Sequence, residues 1–356
     1  MRAERFSQEE LREFCIAALC AKGVSRDDAA TVSDSLIDAE LHGVSSHGMP
    51  HLLLYIDKLD RGEALPQARP TVERLGPNLF RINGQRSLGQ IAGAKAMGMC
   101  LAAAKEYGLA AAWVHNTHTY GAAGYFARMA VQANCVGLTF TNTTPLMAPW
   151  QGRLPLLGTN PIAVGIPCDG GPLVLDMACS VSAWGNIVNA ARRNERIPDA
   201  WALDSQGRPT SDPQEALAGA LLPAGGYKGY GLALVFEILT GLLAGAGLSE
   251  PIPRAPGNFR SPLRSHVMMV IDVQRFQPIA AFKADVLRYL EQLRACPPAD
   301  GCDQVRVPGD RSRREFAERS RHGIPLDADL VDRLRALARQ LGLRFPAALP
   351  EPGNAG

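Results

Sequence analysis

The sequence predicts a mixed α/β fold of two or three domains and disfavours a Rossmann domain. Its 356 residues suffice for a sizeable core, and a composition of 46% hydrophobic and 20% charged residues is typical of a soluble globular protein. Amphipathic helices alternate with short apolar strands along most of the chain. The pattern G-x-G-x-x-G, which marks a Rossmann domain, follows none of these strands.

Charge and targeting signals argue against several classes of protein. The net charge of +2, without a dense basic run and interleaved aromatics, argues against nucleic-acid binding. The most apolar run, residues 232–248, is short and contains Glu237 and several glycines, which predicts a buried helix and no membrane span. The N-terminus is charged from Arg2 onward, so it does not resemble a signal peptide.

The cysteines predict a reduced, cytoplasmic protein. None of them forms a C-x-x-C pair, and most lie in apolar or predicted helical segments. We therefore expect reduced thiols in the core and no zinc site. They are Cys15, Cys20, Cys100, Cys135, Cys168, Cys179, Cys296 and Cys302.

The first two helices are marked by their N-caps. Ser7 with Glu10 forms a capping box, and Gly23 is placed to end the helix that follows. Ser25 caps a second helix that runs toward Leu41.

A histidine-rich segment, H-G-V-S-S-H-G-M-P-H, occupies residues 42–51. Gly43 and Gly48 break the helix and allow the backbone to approach a ligand, and a third helix is predicted to begin near Leu52. A lone histidine is more often structural, but three beside a helix break indicate a candidate site centred on His47.

A second polar turn follows a predicted helix over Gly89–Tyr107 and a strand over residues 109–114. The turn reads H-N-T-H-T-Y-G-A-A-G-Y, residues 115–125, and leads into a helix through Met129. This arrangement would bring side chains to the wall of a cleft. The alternative is a tight helix start whose small residues serve only packing.

The segment 141–167 begins as the end of one strand and finishes as another. Between them lies a loop with four prolines, two glycines and a run of Thr and Asn. Proline makes such a loop rigid, and long connections in compact domains are usually functional. An ornate surface loop is the alternative.

A glycine-rich turn, L-P-A-G-G-Y-K-G-Y-G-L-A-L, occupies residues 222–234 and precedes an apolar helix. Lys228 at the start of that helix, together with free backbone N–H groups, suits a pyrophosphate, although the pattern is not a P-loop. The flanking strands are predicted at residues 136–141, 162–166, 173–177 and 267–273. Helices follow at residues 282–293, 311–321 and 330–341, with loops at 296–302 and after Phe345.

Several motifs occur together in one order. They are D-A-E-L-H-G-V-S-S-H-G, N-T-T-P with A-P-W-Q-G-R and L-L-G-T-N-P, L-D-M-A-C-S-V-S-A-W-G, G-G-Y-K-G-Y-G and R-H-G-I-P-L. With them the chain resembles, over nearly its whole length, the malate/L-lactate dehydrogenase family, which includes ureidoglycolate dehydrogenase, diketogulonate reductase and Δ1-piperideine-2-carboxylate reductase.

This resemblance implies a NAD(P)-dependent reductase with a non-Rossmann, mostly antiparallel cofactor domain. It also implies a homodimer with sites near the subunit contact and a small-molecule substrate. The domains would be a helical substrate domain at residues 1–110, a NAD(P)-binding domain at 111–275, and a C-terminal helical segment at 276–356 that packs on the first.

The resemblance also implies roles for particular residues. Asp176, Met177 and Ala178 would line the nicotinamide-ribose side, and Thr143 would hydrogen-bond the cofactor. Lys228 and Gly229 would hold its phosphates, and Gly309 and Asp310, where the family reads P-G-E, would also lie at the cofactor. His47 matches a proton donor of some members.

Four polar positions depart from the family pattern. Thr119 stands where the family usually has a second catalytic histidine, and His118 lies one residue early. His51 replaces an arginine suited to binding a substrate carboxylate. Tyr227 and Asn186 replace the histidine of G-G-H-K-G-Y and the lysine of A-x-G-K-I.

These residues lead to a functional hypothesis: reduction of a 2-oxo acid or a cyclic 2-imino acid by NADH or NADPH. His47 would supply the proton and Asp176 would orient it or the substrate, with Ser46, His51 and Tyr120 as substrate contacts. His118 and Thr119 are the remaining catalytic candidates. Two alternatives stay open: a relative that keeps the cofactor but has lost redox turnover, and a non-redox lyase or cyclase.

Overall fold

The computed structural model describes residues 3–246, 248 and 263–350, and its fold is mixed α/β as predicted. The helices are α1 (Gln8–Cys20), α2 (Arg26–Leu41), α3 (Met49–Asp60), α4 (Gly89–Tyr107), α5 (Ala123–Gln132), α6 (Trp184–Arg193), α7 (Pro213–Ala218), α8 (Tyr227–Glu237), α9 (Ile279–Arg294), α10 (Asp310–His322) and α11 (Ala328–Leu341). The strands are β1 (Glu4–Phe6), β2 (Thr71–Gly76), β3 (Leu79–Asn83), β4 (Leu109–Thr117), β5 (Cys135–Thr141), β6 (Pro145–Met147), β7 (Leu157–Gly158), β8 (Ile162–Ile166), β9 (Leu173–Met177), β10 (Ala202–Leu203), β11 (Ala220–Leu221), β12 (Arg264–Asp272) and β13 (Ile324–Leu326).

A seven-stranded sheet forms the centre of the molecule, in the order β2-β3-β4-β12-β5-β8-β9. β3 and β4 pair in parallel, and the other neighbours pair antiparallel. The mostly antiparallel sheet implied by the resemblance is therefore confirmed. α4 and α5 cover one face through small buried residues, which let the helices approach the strands closely.

A helical module packs beside the sheet. The N-caps Ser7 and Ser25 accept hydrogen bonds from the backbone of Glu10 and Asp28, as the sequence predicted. α1, α2 and α3 share one hydrophobic core with β13 and α11, and β1 pairs antiparallel with β13. The end of the described chain thus completes the core of its beginning.

The predicted domain boundaries stay predictions, and the elements show where each boundary falls in the fold. β2, β3 and α4 belong to the large sheet and its covering layer, so the boundary predicted at residue 110 falls inside that layer. α9 packs near the turn between β8 and β9, through a small core that contains Cys168 and Leu290. Of the C-terminal region, it is β13 and α11 that join the N-terminal core.

Three local expectations were wrong. α3 begins at Met49 and not near Leu52, because the buried Glu40 carboxylate accepts a hydrogen bond from the Met49 N–H. The segment 141–167 contains β6 and β7, which pair in a second, four-stranded sheet. The apolar run 232–248 is not one buried helix: α8 passes into a π-helical turn at Ile238–Leu242, and several of its aliphatic side chains are exposed.

The cysteines follow the prediction in part. All eight are free thiols, but Cys296 and Cys302 are exposed and therefore not core residues. Within the described ranges, no helix is both long and apolar enough to span a membrane.

Candidate active site

His47 lies in a short 3-10 turn, Ser45–His47, between α2 and α3. Glu40, at the end of α2, is fully buried and accepts a hydrogen bond from the backbone at the start of α3. This contact ties together the two ends of the turn. A Cβ at Gly48 would overlap the Glu40 carboxylate, which explains why glycine follows His47. The turn holds His47 half-buried, with its Nδ1 2.9 Å from the Ser46 hydroxyl.

His51 stands one helical turn beyond His47, and the two rings face each other. Their centroids are 4.9 Å apart. Burial, together with the neighbouring His47 and Lys58, lowers the pKa of His51 to about 3. Burial also lowers the pKa of His47, but there the negative charge of Asp176 opposes the shift. The two imidazoles therefore differ, and His47 is the one that an acid supports.

Asp176 is the acid that faces His47. It lies near the end of β9, and its Oδ2 accepts a hydrogen bond of 2.8 Å from the N–H of Gly124 at the start of α5. Burial raises the pKa of Asp176, while the Gly124 N–H and the positive charge of Arg128 oppose that shift. A Cβ at Gly124 would lie 2.8 Å from the same oxygen, so the G-A-A-G sequence serves this contact.

Two further residues complete this region, and sequence reasoning missed both. The Tyr55 hydroxyl lies 3.3 Å from His51 Nδ1, and Gln90 on α4 donates a hydrogen bond of 2.6 Å to that hydroxyl. Both side chains are fully buried. The spacing of His47, His51 and Tyr55, four residues apart along α3 and its N-terminal turn, was the available signal for Tyr55. No pattern in the sequence indicated that Gln90 belongs to this region.

The structure does not bring His118 and Tyr120 into this cleft. His118 is 1% exposed, its Nε2 lies 2.9 Å from the Glu63 carbonyl oxygen, and burial lowers its pKa to about 4. Tyr120 is also 1% exposed and stacks between Phe126 and His266. Both side chains are therefore packed in the core, and the substrate contact expected of Tyr120 stays a prediction. Thr119 between them is half-buried.

The glycine turn before α8 forms a cradle beside the end of β9. Gly225 and Gly226 have φ angles of +60° and +64°, which side chains rarely adopt. Gly229 is buried so tightly that a Cβ would overlap the Cys179 carbonyl, whereas Lys228 is exposed in the first turn of α8. The turn therefore presents one exposed lysine at the start of a helix, and the N–H groups of Lys228, Gly229 and Tyr230 donate to carbonyl oxygens of the turn itself.

Thr143 lies close to the same place through a polar network. Its N–H donates to Asn160 Oδ1 at 2.9 Å, and its hydroxyl lies 3.3 Å from that of Thr159. Thr159 in turn accepts a backbone hydrogen bond from Cys179, which follows Ala178. Met177 and Ala178 remain at least partly exposed beside it. The predicted cofactor residues at 143, 177–178 and 228–229 are thus brought together.

Gly309 and Asp310 lie at the opposite end of β9. A Cβ at Gly309 would approach the Val174 backbone N at 3.1 Å, and its φ of +94° favours glycine. Asp310 pairs with Arg294 at 2.8 Å and also with Arg313; these contacts hold its pKa at about 2 although burial opposes them. An adjoining cavity of about 280 Å³ is lined by Arg294, Gln304, Arg306, Asp310, Arg311 and Arg314.

This arrangement can bind anions and transfer a proton. Basic groups lie at both ends of β9, and a histidine–aspartate pair lies between them. Among the described residues, no three His, Cys, Asp or Glu side chains are grouped to hold a metal ion.

Comparisons with known proteins match this arrangement over most of the chain. The sequence model of the malate/L-lactate dehydrogenase family matches residues 6–335. A malate/(S)-sulfolactate dehydrogenase of Methanothermus fervidus is 36% identical over 339 residues, which cover 95% of this chain and 98% of that protein. A (2R)-3-sulfolactate dehydrogenase (NADP(+)) of Chromohalobacter salexigens is 36% identical, covering 93% and 97%. A ureidoglycolate dehydrogenase (NAD(+)) of Escherichia coli is 31% identical, covering 93% and 95%.

Solved structures share the fold. The malate dehydrogenase of Entamoeba histolytica superposes with a TM-score of 0.93 at 28% identity, covering 97% of this chain and 100% of that chain. The Δ1-piperideine-2-carboxylate reductase of Pseudomonas syringae superposes with a TM-score of 0.83 at 30% identity, covering 94% and 99%.

Proposed function

The chain belongs to the malate/L-lactate dehydrogenase family, and from that premise we propose that it is an NAD(P)-dependent reductase of a 2-oxo acid or a cyclic 2-imino acid. The observation that carries the proposal is that Asp176, held by the Gly124 N–H, lies near enough to His47 for its charge to oppose the lowering of the His47 pKa, between two basic regions along β9. Relatives named as NAD(+) and NADP(+) enzymes support a nicotinamide cofactor of either kind.

The residues at the glycine turn fit such a cofactor. The turn packs closely at Gly226, where a Cβ would lie 2.8 Å from the Trp150 ring, and at Gly229, where it would meet the Cys179 carbonyl, so its shape is fixed and Lys228 is held at the surface. Lys228 supplies the positive charge that a pyrophosphate needs. At the other end of β9, the arginine-lined cavity beside Asp310 offers a second basic surface for the same anionic ligand.

The proposed chemistry divides between the cofactor and the protein. A bound NADH or NADPH supplies a hydride to the substrate carbon. His47 supplies the proton that the oxygen or nitrogen needs, because a half-buried imidazole with a lowered pKa gives up its proton readily. Asp176 opposes the lowering of that pKa and so favours the protonated ring before transfer. His118 takes no part, since its ring is held by the Glu63 carbonyl.

An imino acid suits the observed site better than an oxo acid. Thr119 stands where a second acid would be expected, and the nearby His118 is buried. A protonated imine is already electrophilic, so it needs less acid catalysis than a ketone. The likeness to a Δ1-piperideine-2-carboxylate reductase supports this choice.

The proposal is tested with two substrates and one variant. Purified protein is mixed with NADH or NADPH, and loss of the nicotinamide absorbance is followed with pyruvate and with a cyclic 2-imino acid. We expect turnover, faster with the imino acid. Lys228→Ala should weaken cofactor binding, measured by NAD(P)H fluorescence, by about 1–3 kcal/mol, whereas Lys283→Ala should not.

A relative without redox turnover is the second candidate, favoured by the polar changes at Thr119 and His51 while the glycine cradle is kept. It predicts that NAD(P)H binds with Lys228-dependent affinity but that no oxo or imino acid oxidises it. A lyase or cyclase would instead consume substrate without loss of the nicotinamide absorbance.

We also propose a homodimer and a cytoplasmic location. Between residues 232 and 248 seven aliphatic side chains are 37–58% exposed, and contiguous apolar surface of this kind is usually covered by another chain. They are Leu232, Leu234, Val235, Ile238, Leu242, Leu243 and Leu248. Lys228 lies in the first turn of the same helix, so the subunit contact would adjoin the cofactor cradle. The eight free thiols support a reducing compartment.

A further inference from the structure

We infer that Tyr55, itself positioned by Gln90, holds His51 as a neutral imidazole that presents its Nε2–H to the substrate. This inference deepens the proposed reductase function and rests on it for the substrate's role. It assigns the two adjacent histidines different tasks: His47 transfers a proton, and His51 donates a hydrogen bond without changing its charge. Tyr55 and Gln90 are positioning residues, since neither reaches the cleft.

The contacts form one buried line from α4 to the cleft. Gln90 donates to the Tyr55 hydroxyl at 2.6 Å, and that hydroxyl lies 3.3 Å from His51 Nδ1. Tyr55 and Gln90 have no exposed surface, whereas His51 keeps part of its ring open. A Cβ at Gly121 would lie 3.0 Å from Gln90 Nε2, so the neighbouring turn closes over the amide and restricts its movement.

The direction of these hydrogen bonds fixes the protonation of the ring. The Tyr55 oxygen accepts a hydrogen bond from the Gln90 amide, so its own O–H is available to donate to a neighbour. The acceptor within reach is His51 Nδ1, which must therefore carry no proton. A neutral imidazole has one N–H, and it then lies on Nε2. Among the described residues, the hydrogen bond found for the His51 ring is the one at Nδ1, and the residue as a whole is partly exposed.

The charges around His51 favour the same neutral state. His47 lies beside it in the 3-10 turn, and Lys58 follows on α3; both lower the pKa of His51, after burial, to about 3. Tyr55 on α3 and Gln90 on α4 are uncharged. Asp176, the acid of the site, acts on His47. Two imidazoles with centroids 4.9 Å apart cannot both be protonated cheaply, and the one paired with the acid takes the proton.

This corrects the expectation that His51 binds a substrate carboxylate as a pH-dependent cation. A neutral Nε2–H can donate to a carboxylate or a carbonyl oxygen at any pH above the low pKa of the ring. The contribution of His51 to substrate affinity should thus be nearly constant across neutral pH. The proton needed for reduction is instead bound and released by His47.

The first test reads the protonation directly and needs neither substrate nor cofactor. The protein is labelled with nitrogen-15 at its seven histidines, and one-bond and long-range nitrogen–proton correlations are recorded by NMR between about pH 5 and about pH 8. The signals missing in His51→Gln assign the residue. We expect a neutral ring with Nδ1 unprotonated throughout. A proton on Nδ1 in the unmodified protein overturns the inference, even if the enzyme reduces its substrate.

The second test removes the positioning contact. Tyr55→Phe keeps the ring volume in the core, and Gln90→Met is a second variant in case the first unfolds. We expect mixed tautomers and a raised pKa for His51, so that KM for an anionic substrate falls as pH is lowered. Tyr107→Phe, at an exposed tyrosine, should change neither. An unaltered His51 spectrum in both folded variants contradicts the assignment; altered spectra without any turnover contradict only the reductase proposal.

Discussion

His47 and Asp176 come from the two ends of a long sequence interval, and the fold brings their charges within range of each other. The turn that carries His47 is fixed by Glu40, and Asp176 is fixed by the Gly124 N–H. Neither residue depends on the other for its position. Replacing one should therefore change the chemistry of the site while leaving its frame in place.

We expect His47→Asn to lower turnover by about 10²–10⁴, because asparagine keeps a hydrogen-bonding side chain but cannot transfer the proton. Cofactor affinity, measured by NAD(P)H fluorescence, should change little. His115→Asn on β4 is the matched control and should keep full activity. If His118→Asn were the damaging substitution and His47→Asn harmless, the proton donor would have been chosen wrongly.

Residue types alone pointed to part of this site. Three histidines beside a helix break identified His47 and His51, and the resemblance identified Asp176 and the cofactor residues. The protonation of His51 could not be predicted, because it depends on Tyr55 and on Gln90 in another helix. The surroundings of His118 could not be predicted either: its sequence neighbourhood is polar, but the Glu63 carbonyl that contacts its ring lies 55 residues earlier.

At the scale of elements, the helices with caps in their own sequence were predicted well. Ser7 and Ser25 placed the starts of α1 and α2 correctly, since an N-cap bonds within its own turn. α3 was placed too late because its N-terminal N–H is satisfied by Glu40 from the preceding helix, a contact without a local signal. The sequence predicted that the apolar run 232–248 is buried. Hydropathy alone does not distinguish a buried core segment from an exposed apolar surface.

The cap on α3 makes a prediction about stability. Burial raises the pKa of Glu40 to about 7, so the folded protein holds this proton at pH values where the unfolded chain has lost it. The protonated Glu40 side chain therefore stabilises the fold fully below about pH 4.5, and this stabilisation is lost as pH rises through about 7. Glu40→Gln keeps an acceptor for Met49 without the titration.

We therefore expect the free energy of unfolding of the unmodified protein to fall relative to Glu40→Gln by on the order of 3 kcal/mol between about pH 5 and about pH 8. Denaturant titrations at several pH values measure this difference. Glu291→Gln, at an exposed position on α9, should follow the unmodified protein. Parallel stability curves for Glu40→Gln would show that Glu40 stays ionised in the fold.

At the scale of the whole molecule, the exposed face of α8 and the π-helical turn should be the subunit contact. Leu243 is 58% exposed on this face, and Leu243→Asp should convert a dimer to monomers in sedimentation velocity while circular dichroism stays unchanged. Cofactor affinity should fall with it, because α8 also carries Lys228. Tyr107→Asp, at an exposed residue of α4, should leave the assembly intact. A monomer before mutation would contradict the contact.

The pairing of β1 with β13 also has a consequence for the order of synthesis. α1, α2 and α3 leave the ribosome early, but the strand and helix that complete their core follow about 260 residues later. At 5–20 residues per second this is a delay of roughly 10–50 s. During that time the inner faces of these helices have no permanent cover, so the nascent chain is exposed to aggregation and is a natural client for chaperones.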